Sequence, residues 1–309
     1  MKIIYFLSIC IFALSCSQNT NNPNGNQDTN QQSDTLDLYA ARFFNIIQHD
    51  NHTRLTVSNP WQGASDISYD YFLVEKGKKI PSELNKSKVI RIPVEKVVVL
   101  SSTHIAELAV IDETKSITGI SGKKYICNPR VCQKAKDEQI PDVGFPGKLN
   151  YELIINSAPD IVMMYGIGPD VASEVKKLER LGISAVLNGD YLEPDPLGKA
   201  EWVKFTASFF DKLPMAQQYF DSIKNEYLNL KEQLDTITDR PEVFCNVPWK
   251  GTWYMPGGNS YLAKLIDDAS GDYIWRDDSS HESLSLSFEV VLNKAQHADI
   301  WLNPGQANS

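Results

Sequence analysis

Beyond residue 94 the chain alternates short apolar runs with amphipathic helical stretches. Lys96-Val97-Val98-Val99-Leu100 is continuous and apolar, as in a strand buried on both faces. Ser101 to Ile111 has helical spacing, and Ile117 to Ile120 is a second short strand. Val171 to Leu181 is amphipathic and closed by Gly182, a favoured residue just past a helix end; Ile183 to Leu187 is again strand-like. This alternation predicts a mostly parallel sheet. Two long helical stretches follow. Gly198 to Phe210 carries Trp202, Phe205, Phe209 and Phe210, and Pro214 opens a helix to Thr236 with Phe220, Ile223, Tyr227, Leu230 and Leu234 near i, i+3, i+4 spacing. At ~1.5 Å per residue that helix is on the order of 35 Å long, enough to cross between two lobes. A second α/β unit opens at Glu242 to Asn246. It continues through a Gly/Pro/Trp-rich loop, 247–258, a helix from Ser260 to Ala269, and Gly271 to Trp275.

Two segments match one another about 137 positions apart. Asn150-Tyr151-Glu152-Leu153-Ile154 runs into Ala158-Pro159-Asp160-Ile161-Val162, and Ser287-Phe288-Glu289-Val290-Val291-Leu292 runs into Ala298-Asp299-Ile300-Trp301. Each is a helical turn or two leading into a short strand, with one carboxylate at the helix start. A helix-to-strand unit used twice predicts two similar lobes, each showing one acidic group. Ahead of them, Thr53 to Val57 and Tyr69 to Val74 alternate around a loop with Pro60 and Gly63, which predicts a β-hairpin or small sheet.

The N-terminus sets the compartment. Lys2, an apolar run from Ile3 to Leu14, and Ser15-Cys16 read as a secretory signal. The run is too short for a permanent span. Ala13-Leu14-Ser15-Cys16 resembles a bacterial lipobox, with Ala13 where leucine is preferred, so Cys16 is the expected lipidation site. Ser17 to Ser33 is almost wholly polar and reads as a flexible tether. The net charge of −9 argues against nucleic acid. Cys127 and Cys132 bracket a turn-like stretch, so a local disulfide and two reduced thiols are both open; Cys245 reads as a core residue. The chain has no G-x-S-x-G elbow, no phosphate-binding glycine loop ending in Lys-Ser/Thr and no H-E-x-x-H, so an enzyme is not expected.

Over residues 94–309 the chain resembles the substrate-binding proteins of ABC importers for ferric siderophores, haem and vitamin B12. Leu149 to Ile154 with Ala158 to Val162 is close to the family's first-lobe Asn-Leu-Glu segment, and Ser287 to Leu292 to its second-lobe Ser-x-Glu segment. Pro256 to Ile266 resembles its second-lobe helix start, and Val99 to Ser102 its opening strand and turn. The resemblance implies that Glu152 and Glu289 dock on arginine pockets of an inner-membrane permease dimer. It gives no role to Glu107. It also implies a ligand between the lobes, contacted by loops at strand ends. The aromatic candidates on those loops are Tyr165, Tyr125, Phe145, Trp249, Trp253 and Tyr254, with His104 and His281 as histidine candidates. Lys123, Lys124, Arg130, Lys148, Lys250 and Arg276 are basic groups nearby.

The expected architecture is α/β: two Rossmann-like lobes joined by a single long backbone helix, with an N-terminal β-hairpin extension. The expected boundaries are a signal peptide and lipobox over 1–16, a tether over 17–36, the extension over 37–93, a first lobe over 94–197, a helical linker over 198–238 and a second lobe over 239–309. The second lobe is expected to be incomplete, and the chain a truncated form of a longer one. The expected protein is a monomeric, lipid-anchored importer component on the periplasmic face of a membrane. Its cargo is a transported metal chelate (ferric siderophore, haem or cobalamin), with no cofactor of its own and no nucleic-acid partner. Two alternatives stand beside it: a zinc or manganese importer component, disfavoured by five scattered histidines, and a surface lipoprotein receptor without an ABC partner.

Overall fold

The structure is a computed structural model and describes residues 33–303. The signal, Cys16 and nearly all of the tether lie outside the described residues.

The chain opens with a five-stranded sheet, β1 (Ser33–Thr35), β2 (Phe44–His49), β3 (His52–Ser58), β4 (Ser68–Glu75) and β5 (Val89–Ile92). Neighbours are antiparallel as far as β4, and β5 joins parallel to it. The extension is therefore larger than a hairpin. β2 and β5 were not legible as strands, because Asn-Ile-Ile-Gln does not alternate and β5 is only four residues long. Ile46, Leu55 and Tyr71 stand opposite one another and share the buried face.

The first lobe contains β6 (Val97–Val99), α1 (Ser102–Val110), β7 (Ile117–Ile120), α2 (Pro129–Lys136), the short pair β8 (Gly144–Phe145) and β9 (Lys148–Leu149), α3 (Tyr151–Asn156), β10 (Ile161–Met164), α4 (Val171–Arg180) and β11 (Ser184–Leu187). Its parallel sheet has the order β11-β10-β6-β7. Both faces are covered, which explains the unbroken apolar runs. Val97, Val99, Ile161 and Met163 face one core with the N-terminal sheet; Val98, Val162 and Met164 face another with α3 and α4.

Next come α5 (Pro196–Ser208) and α6 (Leu213–Leu234). Helix α5 is buried nearly all round, wedged between the N-terminal sheet and the first lobe, so polar Glu201, Lys204 and Thr206 are buried with Trp202 and Phe205. Two buried carboxylates on this side bind the incoming chain. Glu201 accepts N–H bonds from Tyr39, Ala40 and Ala41 at 2.9–3.0 Å and pairs with the Lys204 ammonium at 2.6 Å. Glu193 accepts from the Arg42 and Phe43 amides and from Trp202 Nε1 at 2.9–3.1 Å.

Helix α6, about 33 Å long, connects the lobes. Ala216 and Phe220 enter the first-lobe core. Near its far end Tyr227 Oη and Lys231 Nζ donate to Asp268 of the second lobe at 2.8 and 2.6 Å, and Lys264 completes the cluster.

The second lobe contains β12 (Glu242–Cys245), β13 (Pro248–Trp249), β14 (Thr252–Pro256), α7 (Tyr261–Asp268), β15 (Asp272–Tyr273), β16 (Ser283–Ser287), α8 (Phe288–Ala295) and β17 (Ile300–Leu302). Its parallel sheet has the order β15-β12-β17, so the opening strand is central, as β6 is in the first lobe. The stretch 247–258 is not a loop. It folds as a β13–β14 hairpin whose turn residues Lys250 and Gly251 both have positive φ, 50° and 84°, and β16 pairs with its second strand. β17 is an edge strand, and Ile300, Trp301 and Leu302 are exposed there together with Phe288, Val290 and Leu292 of α8.

The matched segments have a shared structural reason. Asp160 accepts the amides of Glu95 and Lys96 just before β6, at 2.8 and 3.0 Å. Asp299 accepts the amide of Glu242 at the start of β12, at 2.8 Å. Each aspartate ties the third strand of a lobe to its central strand.

Candidate functional site

Glu152 and Glu289 occupy the same local position. Each is the second residue of its helix, after a capping residue: Asn150 accepts the Leu153 amide and Ser287 the Val290 amide. Both glutamates are exposed, and neither makes an ion pair among the described residues. The Glu289 carboxyl is held below the usual carboxylate range by its own backbone N–H and the Ser287 hydroxyl.

The predicted ligand residues divide. Tyr125 and Phe145 are exposed and meet edge-on at 6.4 Å between centroids, with Lys124 over the Tyr125 ring at 4.7 Å. Asp142 fixes the loops beneath them by accepting the Gly122, Lys123 and Gly144 amides. Gly122 is required here. Its φ is +70°, and a Cβ would lie 2.9 Å from each ring. Trp249 and Tyr254 form an equivalent exposed pair on the second lobe, 6.4 Å apart, with Lys250 over Trp249 at 4.5 Å. Tyr165 is half-buried and stacks edge-on to Tyr191. These groups follow C-terminal ends of parallel strands, where open α/β sheets bind ligands.

Trp253 and His104 are core residues instead. Trp253 is 4% exposed, packs on Phe244, Phe288 and Trp301, and donates Nε1–H to the Cys245 carbonyl. Strand alternation in β14 turns it inward while Tyr254 turns out. His104 lies in α1, which starts one residue after Ser101, and it faces inward with Ile105 and Leu108. It is fully buried and neither ring nitrogen has a hydrogen-bond partner among the described residues. Burial, opposed by the Asp190 charge, pushes it down to about 4, so the imidazole is neutral. Cys127 and Cys132 are free, not bridged. The Asn128 cap starts α2 between them, so Cys132 joins the helix and packs partly against the core, while Cys127 stays exposed.

The lobes meet along a crevice with two adjoining cavities of about 620 and 270 Å³. The larger lies between Arg42, Pro194 and Asp195 on one side and second-lobe residues including Arg240, Ser260, Lys264, Arg276 and His281 on the other. The smaller is closed by the β3–β4 loop (Trp61, Gln62), Tyr191 and the His281-Glu282 pair. Burial pushes the Tyr191 hydroxyl up to about 12, so it is a neutral donor; it bonds the Gly166 carbonyl. Of the predicted ligand residues His281 and the basic Arg276 line these cavities, and Tyr165 reaches them through Tyr191. Arg42, Trp61 and Gln62 were missed because they come from the N-terminal sheet. Among the described residues no three His, Cys, Asp or Glu side chains converge as a metal site.

The periplasmic binding protein family matches residues 97–309. An uncharacterized lipoprotein of Methanocaldococcus jannaschii is 30% identical over 93% of this chain and 73% of its own length. A second uncharacterized lipoprotein of that organism is 30% identical over 77% of this chain, which spans 62% of it. Among solved structures, a periplasmic binding protein from Veillonella parvula aligns with TM-score 0.56 at 13% identity, over 81% of this chain and 72% of that one. A possible iron-binding, periplasmic solute-binding protein from Staphylococcus epidermidis aligns with TM-score 0.53 at 18% identity, over 68% and 76%. These likenesses show the same two-lobed fold. Given the extent of the family match, together with the lobes and crevice described above, this chain belongs to the periplasmic binding protein family and is a binding protein, not an enzyme.

Proposed function

We propose that this chain captures a metal chelate between its lobes and delivers it to an ABC permease, docking through Glu152 and Glu289. The carrying observation is the equivalence of the two glutamates. Each is exposed, lacks an ion pair among the described residues, and stands second in a helix that leads to a lobe's third strand. Two free carboxylates on a rigid two-lobed body suit docking on a two-fold partner, where such charges steer association. The crevice supports capture. The exposed aromatic pairs, which stand outside the two crevice cavities and each carry a lysine above a ring, suit a ligand with flat apolar faces and anionic edges, such as a ferric siderophore, haem or cobalamin. A lipid at Cys16 would hold the protein, as a monomer, beside its permease, consistent with relatives named lipoproteins.

The test is the Glu152→Ala/Glu289→Ala double variant. Chelate affinity of the purified protein should be unchanged, and permease-dependent uptake should be lost. Unimpaired uptake would remove the docking role and favour a surface receptor without an ABC partner.

A further inference from the structure

We infer that the N-terminal sheet, which lies outside the family-matched residues, supplies a ligand-binding residue, Arg42, that selects for an anionic oxygen group on the ligand. The inference rests on the crevice being the ligand site.

Three observations converge on Arg42. Its backbone is held on both sides. Five consecutive amides, from Tyr39 to Phe43, donate to the buried carboxylates of Glu201 and Glu193 at 2.9–3.1 Å. The backbone of the segment is fixed, so the ordering left for binding is that of the Arg42 side chain. Arg42 is also exposed and lines both cavities, at the place where they adjoin.

Its charge, moreover, is not held in a contact ion pair, although it acts on the Glu193 carboxylate. Each of the other strong cations of the larger cavity has a carboxylate partner: Arg240 with Asp267 at 2.6 Å, Lys264 with Asp268 at 2.7 Å, and Arg276 with Asp272. Arg42 makes no ion pair among the described residues. Glu193 takes the Arg42 and Phe43 amides and Trp202 Nε1 on its Oε1; its Oε2 has no hydrogen-bond partner among the described residues, and the carboxylate feels the Arg42 charge without pairing with it. A guanidinium left free on a fixed backbone presents a planar fork of donors suited to a carboxylate, phosphate or catecholate edge. His281 borders the same space from the second lobe. Its Nδ1 donates to the Asn259 carbonyl at 2.8 Å, which leaves Nε2 as an acceptor for a donor group of the ligand and the anionic edge to Arg42.

The test compares two ferric complexes that differ in charge: the trianionic tricatecholate and the uncharged trihydroxamate. Binding to wild type, Arg42→Gln and Arg42→Lys is followed by quenching of tryptophan emission, with Trp61 in the cavity wall as a reporter. A charge-assisted hydrogen bond is worth about 1.5–3 kcal/mol, which converts to roughly 10- to 150-fold in affinity. Arg42→Gln should weaken the tricatecholate by at least that lower factor. Arg42→Lys should recover only part of the loss, since it keeps the charge but not the fork; added salt should shrink the difference, and the trihydroxamate affinity should not change. Because Arg42 is a surface side chain, thermal melts of the variants should match wild type. Equal tricatecholate affinity in wild type and Arg42→Gln overturns the inference and leaves the family function intact. So does a wild type that binds only the trihydroxamate. A wild type that binds neither complex, and no haem or cobalamin either, overturns the crevice as the ligand site and the inference with it.

Discussion

Replacing Glu201 by alanine tests how the N-terminal sheet is held. The substitution strips the Lys204 ammonium, which is 2% exposed, of its partner at 2.6 Å, and leaves the Tyr39, Ala40 and Ala41 amides without their acceptor. Removing one member of a buried pair costs about 3–5 kcal/mol, because the survivor stays charged and dry. The three amides are only part-buried and can take water, so they add less than a fully buried donor would. A loss of about 4 kcal/mol is a large share of the roughly 5–15 kcal/mol that holds a typical domain. Urea unfolding read by tryptophan emission should show a lower midpoint at an unchanged slope. Adding Lys204→Met should recover about half the loss or more, since an apolar isostere no longer needs a counter-charge. The pair also sets a pH dependence. Burial pushes the Glu201 carboxyl up, but the Ala40, Ala41 and Tyr39 amides and Lys204 outweigh it and hold the group below its ordinary value. Its contribution is therefore complete above the unfolded carboxylate value and disappears as pH falls through the folded one. A cost below about 1 kcal/mol for Glu201→Ala, or no recovery with Lys204→Met, would refute this account.

Glu107 is predicted to work in the opposite sense. Burial and the nearby Asp190 charge push it up to about 8 from 4.5, so between those values the folded state keeps a proton that the unfolded state has lost. Stability should fall across that window by about 1.4 kcal/mol per pH unit from this group alone, and Glu107→Gln should remove that slope; parallel stability curves for the two proteins would contradict it. Asp268→Asn should loosen the attachment of α6 to the second lobe. Because Lys231 and Lys264 are 39% and 38% exposed and can hydrate, the cost should be only about 1–2 kcal/mol. Faster amide exchange along α7 is the expected sign, and unchanged exchange would argue against it. Iodoacetamide should label Cys127 and Cys132 in the native protein but Cys245 only after unfolding, since burial pushes the Cys245 thiol up to about 11. A two-hydrogen mass deficit spanning Cys127 and Cys132 would show a bridge instead.

Most of the architecture was readable because each element carried a local signal. The apolar runs at β6 and β10 announced a sheet covered on both faces, and Pro214 and the heptad-like spacing marked α6 within a residue or two. The paired Glu152 and Glu289 segments were visible as an internal match, although their aspartates proved to serve the sheet. What escaped notice was set by tertiary context. Whether Trp253 or Tyr254 faces out depends on which side of β14 meets β12 and α8, and nothing in Thr-Trp-Tyr-Met shows it. His104 falls in a stretch whose spacing is helical from Ser101; what escaped was that it faces inward with Ile105 and Leu108, which depends on what packs against α1. Arg42 could not be placed, since its role depends on carboxylates about 150 positions away in the chain. No local rule links a surface-looking arginine near the tether to a crevice between distant lobes.

The wedged position of α5 has a practical outcome for anyone trimming the molecule by homology. Cutting at the start of the matched stretch would remove Phe44 from against Trp202, 4.7 Å away between centroids, and Tyr71 from against Phe205 and Phe209. It would also deprive two interior acids of every main-chain donor they use. The excised fragment would expose an oily, charge-studded helix along its whole length, and precipitation is the expected fate. In this protein the edge of the family match and the boundary of foldability run through different residues.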